Sequence, residues 1–325
     1  MDFYLAPMEG ITGYTYRNAV HDIFGDVYAR YFTPFISPRP KIGMQSKERK
    51  DILPENNKGI NLIPQILSSN PDHFVSLANE IYEEYGWDEI NLNAGCPAKT
   101  VVSHGRGSGM LKDPDSLDEF LYKIFSGFKM KISVKTRLGV LNEEEFEELL
   151  KIYEKYPISE LIIHARVMTD YYKLPARPDV VNGILDTCRL PVVYNGDIYN
   201  ENDYERLIPD KSKIRAVMLG RGAITNPALP RILKGGSPAT PDEMRRFHDR
   251  LFKDFKELYF GDTPLLFHMK EMWSFMGDMY PDKSKALKAI RKSKHLAEYK
   301  AAVSEILELN ISTNTCVSSH SQIIF

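Results

Sequence analysis

Cysteine is scarce in this 325-residue chain: there are three, Cys96, Cys188 and Cys316. Three thiols cannot form a disulfide framework, and their spacing matches no metal-ligand pattern. A reducing compartment fits, and a cytoplasmic location is the expectation. No run of about 18 apolar residues is present, so no membrane span is expected. Residues 1–7 lack a basic stretch followed by a long apolar one, so they do not read as a secretory signal. An excess of positive charge is missing too. Lys and Arg number 42 against 44 Asp and Glu, a formal net charge of -2. Any surface for nucleic acid must therefore be local. What remains is an ordinary soluble composition, 43% hydrophobic and 26% charged. That composition and length suit one large domain of about 250 residues and a smaller one.

Short apolar runs recur along the chain, each closed by polar residues or glycine and most followed by a helical pattern. They predict strands at 3–6, 27–32, 62–66, 89–92, 131–136, 161–164, 192–195 and 216–219. Strands alternating with helices imply βαβ units and a parallel sheet. Eight such units predict a (β/α)8 TIM barrel, with a doubly wound sheet as the alternative fold. Helix ends are readable. Asn70-Pro71 is a cap followed by proline at the first helical position. Phe74, Leu77, Ala78, Ile81, Tyr82 and Tyr85 then recur at helical spacing until Gly86. Asp113-Pro114 repeats the device. Asn142 precedes Glu143-Glu144-Glu145, acidic residues that suit a helix start.

The run Gly235-Gly236-Ser237-Pro238-Ala239-Thr240-Pro241 reads as a linker. It divides a barrel domain at 1–235 from a helical region at 242–310, with a polar tail at 311–325. Between Lys283 and Lys300 the helical region holds seven Lys or Arg and one acid, Glu298. Such a run is a solvated helix face or a set of phosphate contacts with folded RNA.

In a TIM barrel the chemistry lies at the carboxyl ends of the strands. Those ends carry Pro7 and Met8, Gln65, Asn93 and Cys96, Lys135 and Arg137, His164 and Arg166, Asn195-Gly196-Asp197, and Gly220-Arg221-Gly222. The last two groups follow strands 7 and 8, where such barrels often bind a phosphate on backbone N–H groups. Gln65, Lys135 and His164 suit a flat heterocycle better than a metal. No carboxylate cluster of the Mg²⁺ type occurs at these ends. Cys188 lies on the apolar pattern Val180, Val181, Ile184 and Leu185 and reads as packing. Cys96 lies on no such stripe. It sits in a polar loop, where a thiol can act as an acid, a nucleophile or a metal ligand. An ordinary thiol is mostly protonated at neutral pH, so Cys96 can serve as a general acid; the sequence names no metal partner and no activating base for a nucleophile.

These segments together resemble the dihydrouridine synthase family of flavoenzymes, which reduce uridine in RNA. The resemblance is carried by Ala6-Pro7-Met8, Pro64-Gln65-Ile66, Asn91-Leu92-Asn93-Ala94-Gly95-Cys96-Pro97, Lys135-Thr136-Arg137, His164-Ala165-Arg166, Asn195-Gly196-Asp197-Ile198 and Gly220-Arg221-Gly222-Ala223, in order through the barrel. It implies FMN at the barrel mouth, its phosphate on Gly196, Gly220 and Arg221 and its ring against Pro7, Met8, Gln65, Lys135 and His164. Asn195 and Asp197 belong to the same cofactor set. NADPH would reduce FMN. A flipped uridine would receive hydride at C6 and a proton from Cys96 at C5. Asn93 would hold the uracil edge or the flavin, and Arg137 and Arg166 would meet RNA or the flavin phosphate. Lys285, Lys288, Arg291 and Lys292 would contact RNA, most naturally tRNA, and the enzyme is expected to act as a monomer. Two features depart from the family pattern: His104 and Arg106 in the cysteine loop, and most of the segment 167–178 beyond Tyr171 and Tyr172. The competing readings are a flavin barrel acting on a small molecule and an RNA-binding protein without catalysis.

Overall fold

The computed structural model describes residues 1–39, 43–127 and 130–307. Cys316, the tail at 311–325 and the last three residues of the expected helical region lie outside the described residues. Nine parallel strands form one sheet: β1 (Asp2–Leu5), β2 (Arg30–Phe32), β3 (Leu62–Ile63), β4 (Gln65–Ile66), β5 (Glu89–Ala94), β6 (Lys131–Arg137), β7 (Leu161–His164), β8 (Val192–Asn195) and β9 (Ala216–Leu219). Their order is β3-β2-β1-β9-β8-β7-β6-β5-β4. The two terminal strands of that order are halves of one stave, separated by Pro64. Proline has no N–H for the ladder, while the Pro64 carbonyl still accepts from Asn91 N at 2.9 Å. The sheet is thus an eight-staved barrel, the (β/α)8 architecture expected, with the third strand divided. Two strand ends differ usefully from the expectation. β5 continues through Asn93, and β6 continues through Arg137, so both residues are held by ladder hydrogen bonds and not by loops.

Alternation along each strand sorts the side chains. Phe3 and Leu5 pack outward into the large core under the helices, while Tyr4 and Ala6 join Phe32, Ile63, Ile162, Val193, Ala216 and Met218 inside the barrel. The amino-terminal end of the interior is closed by charge. Arg30 lies 2.8 Å from Glu89 and 3.3 Å from Glu160, and Tyr4 Oη donates to Glu160 at 2.9 Å. Helix ends follow the predicted chemistry: Asn70 Oδ1 accepts from His73 N at 2.9 Å, and Gly86 takes the left-handed conformation after Tyr85. The acidic run after Asn142 behaves differently. The helix begins only at Glu145, whose carboxylate accepts from the N–H groups of Val140, Leu141 and Asn142. It pins the loop after β6 and does not simply favour a helix dipole.

Beyond β9 the described residues are helical, with the longer helices at Pro241–Leu258, Asp262–Met276 and Leu296–Leu307. Phe247 packs between Tyr16 and Phe24 of the first barrel helix at centroid distances of 5.8 and 5.6 Å. The helical region and the barrel shell therefore share one apolar core. The glycine-rich connection is clamped by Arg231. Its guanidinium donates to the carbonyls of Ser237 and Pro238 and pairs with both oxygens of Glu243 at 2.8 Å. Glu243 also closes a capping box with Thr240. Hydrogen bonding from Arg231 is the main cause that holds the Glu243 carboxyl down at about 2, against the opposing effect of burial. A carboxyl held below its unfolded value stabilises the fold above about pH 4.3 and loses that contribution as pH falls toward 2. Glu243→Gln is expected to lower unfolding free energy at neutral pH by about 1 kcal/mol, the size of a lost helix cap. It should also flatten the acid limb of stability, which urea titration as a function of pH would check.

Candidate active site

The cysteine loop is built from the end of β5. Asn93 Oδ1 accepts from Gly95 N at 3.1 Å and Cys96 N at 3.0 Å, the local bond to following backbone that Asn makes readily. Asn93 Nδ2 donates to Gln65 Oε1 at 2.7 Å, Gln65 Nε2 to Asn91 Oδ1 at 2.7 Å, and Asn91 Nδ2 to Ser133 Oγ at 2.9 Å. This chain of amides crosses β4, β5 and β6 inside the barrel. Beyond the loop, Ser108 donates both its N–H and its hydroxyl to the Cys96 carbonyl, at 3.0 and 2.9 Å. Gly107, with φ 57°, lies so close that a Cβ there would sit 2.6 Å from Cys96 O. The thiol is thus fixed from both sides. Burial pushes it above its ordinary range, with Ala98 N–H, Arg137 and Lys135 pulling the other way. The net result is a protonated thiol at neutral pH.

Three of the residues expected to face a ligand make most of their polar contacts within the protein. Gln65 is 0% exposed, so in this structure it reaches the mouth through Asn93 and presents no surface of its own. Asn93 spends its oxygen on the cysteine loop and a donor on Gln65. Arg137 is 1% exposed, and its donors go to the carbonyls of Gly95, Val167 and Tyr171. The physical reason is shared: a polar group at a strand end must be satisfied, and here neighbouring protein groups satisfy it.

Lys135, His164 and Asn195 open onto a cleft at the carboxyl ends of the strands, lined also by Pro7, Met8, Gly196, Asp197, Gly220 and Arg221. Cys96 sits beside this cleft, one strand from Lys135, since Asn93 and Lys135 are register partners on β5 and β6. Lys135 Nζ donates to Asn195 Oδ1 at 3.0 Å, and Asn195 Nδ2 to Met218 O at 2.8 Å. Burial, and then the charge of Arg137, push Lys135 down to about 7. Arg166 donates to His164 Nε2 at 3.0 Å, to Asp197 Oδ2 at 2.5 Å and to Leu174 O at 2.7 Å. Asp197 Oδ1 accepts from Arg221 at 2.8 Å. Burial opposes ionisation of Asp197, but Arg166, Ala176 N–H and Arg221 outweigh it and hold the carboxyl below its usual range. Gly222 meets the Ile198 carbonyl so closely that a Cβ would lie 2.1 Å from it, so the glycine-rich loops after β8 and β9 are packed on each other.

Two aromatic residues at the mouth did not stand out in the sequence as site residues. Tyr172 is 43% exposed, and the guanidiniums of Arg221, Arg137 and Arg166 lie 4.8, 5.6 and 6.0 Å from its ring centroid. Tyr199 faces Arg221 at 5.7 Å. The signals for Tyr172 were its place in the loop after β7 and, with Tyr171, its match to the family pattern. Tyr171 beside it has φ 49°, a strained setting for a bulky residue, and its carbonyl is held by Arg137. The basic run lies apart from the cleft. Lys285, Lys288, Arg291 and Lys292 are exposed on the helix Ser284–Lys292, whose buried side is Ala286 and Ile290. That helix packs on Asp262–Met276, which in turn packs on the short helix Arg221–Thr225 at the barrel mouth. Among the described residues, no three His, Cys, Asp or Glu gather as a metal site, and no helix is long and apolar enough to cross a membrane. Cys188 is half-buried against the core.

A closed parallel barrel with a thiol, a lysine, a histidine and an arginine-flanked glycine loop at one mouth is the frame of a TIM-barrel enzyme. Solved structures share that fold at low identity. Morphinone reductase in complex with tetrahydroNAD aligns with TM-score 0.50 and 12% identity over 75% of this chain and 89% of its own. A 2-naphthoyl-CoA reductase complex aligns with TM-score 0.52 and 10% identity over 72% and 50%. The sequence comparisons are more specific. The family model described as Dihydrouridine synthase (Dus) matches residues 4–320. The tRNA-dihydrouridine synthase B of Pasteurella multocida is 29% identical over 232 residues, covering 71% of this chain and 68% of the relative. The tRNA-dihydrouridine(16) synthase of Cupriavidus necator is 30% identical over 248 residues, covering 73% and 75%. The chain belongs to the dihydrouridine synthase family.

The state of the thiol can be measured directly. With Cys188 and Cys316 replaced by serine, alkylation of Cys96 by iodoacetamide is expected to have its pH midpoint above about 8.5, the ordinary thiol value. A midpoint below about 7 would remove the protonated thiol.

Proposed function

We propose that this enzyme reduces uridine in tRNA to 5,6-dihydrouridine, with FMN at the barrel mouth, NADPH as reductant and Cys96 as the proton donor. Membership of the family, together with a half-buried thiol held in the loop after β5, carries the reading. The residues fit the cofactor. A bound phosphate would lie where Gly196, Gly220 and Arg221 meet, and a flat ring would lie along Pro7, Met8, Lys135 and His164. Gln65 supports this site from behind by holding Asn93. FMN, when bound, supplies the hydride and is recharged by NADPH.

The protein's own part is positioning and proton delivery. Asn93, Ser108 and Gly107 hold the Cys96 backbone, so the thiol proton is offered at one place. Cys96 Sγ gives that proton to uracil C5, and the resulting thiolate is stabilised by Ala98 N–H, Arg137 and Lys135. Burial makes Lys135 easy to neutralise, and an anionic ligand beside it would favour its charged form. Tyr172, over three arginines, is suited to stacking against a base. The exposed cations of the helix Ser284–Lys292 meet RNA phosphates. A small-molecule reductase has no use for that helix, which favours the RNA reading.

Purified protein is expected to be yellow, and Cys96→Ala should retain FMN while losing about 100- to 10,000-fold in the rate of tRNA reduction, the range for a lost general acid. Protein that cannot be loaded with FMN would sink the cofactor assignment. Full activity in the variant would sink the proton-donor role. Replacing Lys285, Lys288, Arg291 and Lys292 by alanine should weaken tRNA binding. The slope of log affinity against log salt should fall by about 0.7–0.9 for each phosphate that these cations neutralise. An unchanged slope would place RNA elsewhere. Mapping dihydrouridine in cellular RNAs with the gene present and deleted tests the whole reading.

A further inference from the structure

His164 is held in a way the reaction as described does not require. Its Nε2 lies 3.0 Å from Arg166 Nη1. A guanidinium has donors only and keeps its charge, so Nε2 must be the acceptor and the imidazole proton must sit on Nδ1. Turning the ring over would set a carbon against Nη1 and leave that donor unmet. Arg166 cannot move aside either. It is 2% exposed, its Nε is bonded to Leu174 O at 2.7 Å, and its Nη2 is bonded to Asp197 Oδ2 at 2.5 Å. Asp197 is fixed in turn by Ala176 N at 2.8 Å and Arg221 at 2.8 Å, on backbone with φ 47°.

We propose that Asp197 and Arg166 are positioning residues that lock His164 in the neutral tautomer protonated on Nδ1, so that the histidine meets a bound ring as a hydrogen-bond donor only. The charges around it agree. Besides burial, Arg137, Lys135, Arg166 and Arg221 all disfavour an imidazolium. Asp197 bonds to Arg166 and Arg221 and makes no bond to the histidine, so no carboxylate draws a second proton onto the ring. The matching ligand atom is a carbonyl oxygen or an unprotonated ring nitrogen. The identity of that ring rests on the flavin reading above; the tautomer does not.

Long-range ¹H–¹⁵N correlation spectra of full-length protein with ¹⁵N-labelled histidine test the lock, with His164 assigned from the signal missing in His164→Gln. The expected result, with or without added FMN, is a pyridine-type Nε2 and a pyrrole-type Nδ1, unchanged from about pH 6 to 8. A pyrrole-type Nε2, or a doubly protonated ring in that range, would overturn the proposal with no variant needed. Arg166→Met should abolish the single tautomer, whereas Arg166→Lys, which keeps a group with donors only, should preserve it. A well-folded Arg166→Met protein with the wild-type tautomer would also overturn the lock. FMN affinity, read by fluorescence quenching, should fall about tenfold in Arg166→Met and less than about threefold in Arg166→Lys, the tenfold loss being that of one hydrogen bond to the ring. Protein that binds no FMN yet shows the Nδ1 tautomer would uphold the lock and remove the flavin reading.

Discussion

Asp197 is the carboxylate on which the barrel mouth depends. Lys135, Arg137, Arg166 and Arg221 converge there, and like charges this close repel strongly in a buried setting. Asp197 bonds to two of them, Arg166 and Arg221, and also takes Ala176 N–H. The others are held by neutral acceptors: Lys135 by the Asn195 amide and Arg137 by three backbone carbonyls. The mouth therefore keeps a surplus of positive charge in a fixed geometry. That is the condition for receiving an anionic cofactor without rearrangement.

The barrel supplies the rest by alternation. Inward positions of β4, β5 and β6 carry Gln65, Asn91, Asn93, Ser133 and Lys135 at successive levels, so one strand's polar residue always faces another's. The amides bond to one another and form a rigid rod that ends in the Asn93 clamp on Cys96. The Cys96 thiol is placed by strand register, and a slip of one residue would turn the rod outward into the helices. The same logic explains the closed amino-terminal end, where Arg30 pairs with Glu89 and Glu160 and Arg215 pairs with Glu160.

The helical region is not a separate body joined by a loose tether. Phe247 enters the barrel's own shell, and Arg231 fixes the glycine-rich connection by bonding to two of its carbonyls and to Glu243. A rigid attachment matters because the basic helix Ser284–Lys292 then lies at a constant position relative to Cys96. A macromolecular ligand held at one end would be presented at the other in a fixed register.

The sequence by itself determined the barrel, because short apolar runs, helical patterns, Asn70 and Asp113 caps, and glycine stops act locally. It also determined which residues stand at the strand ends, and through its motifs the family. It did not separate residues that open onto the cleft from those that support them. Gln65, Asn93, Arg137 and Arg166 read alike with Lys135 and His164, since all are polar residues at strand ends. Only the tertiary structure showed that backbone carbonyls and neighbouring side chains satisfy the first group. It alone brought Tyr172 over three arginines from different βα units and set Asp197 against Arg166. Hydrogen-bond partners far apart in the chain are chosen by register and closure of the barrel, and no local pattern encodes them.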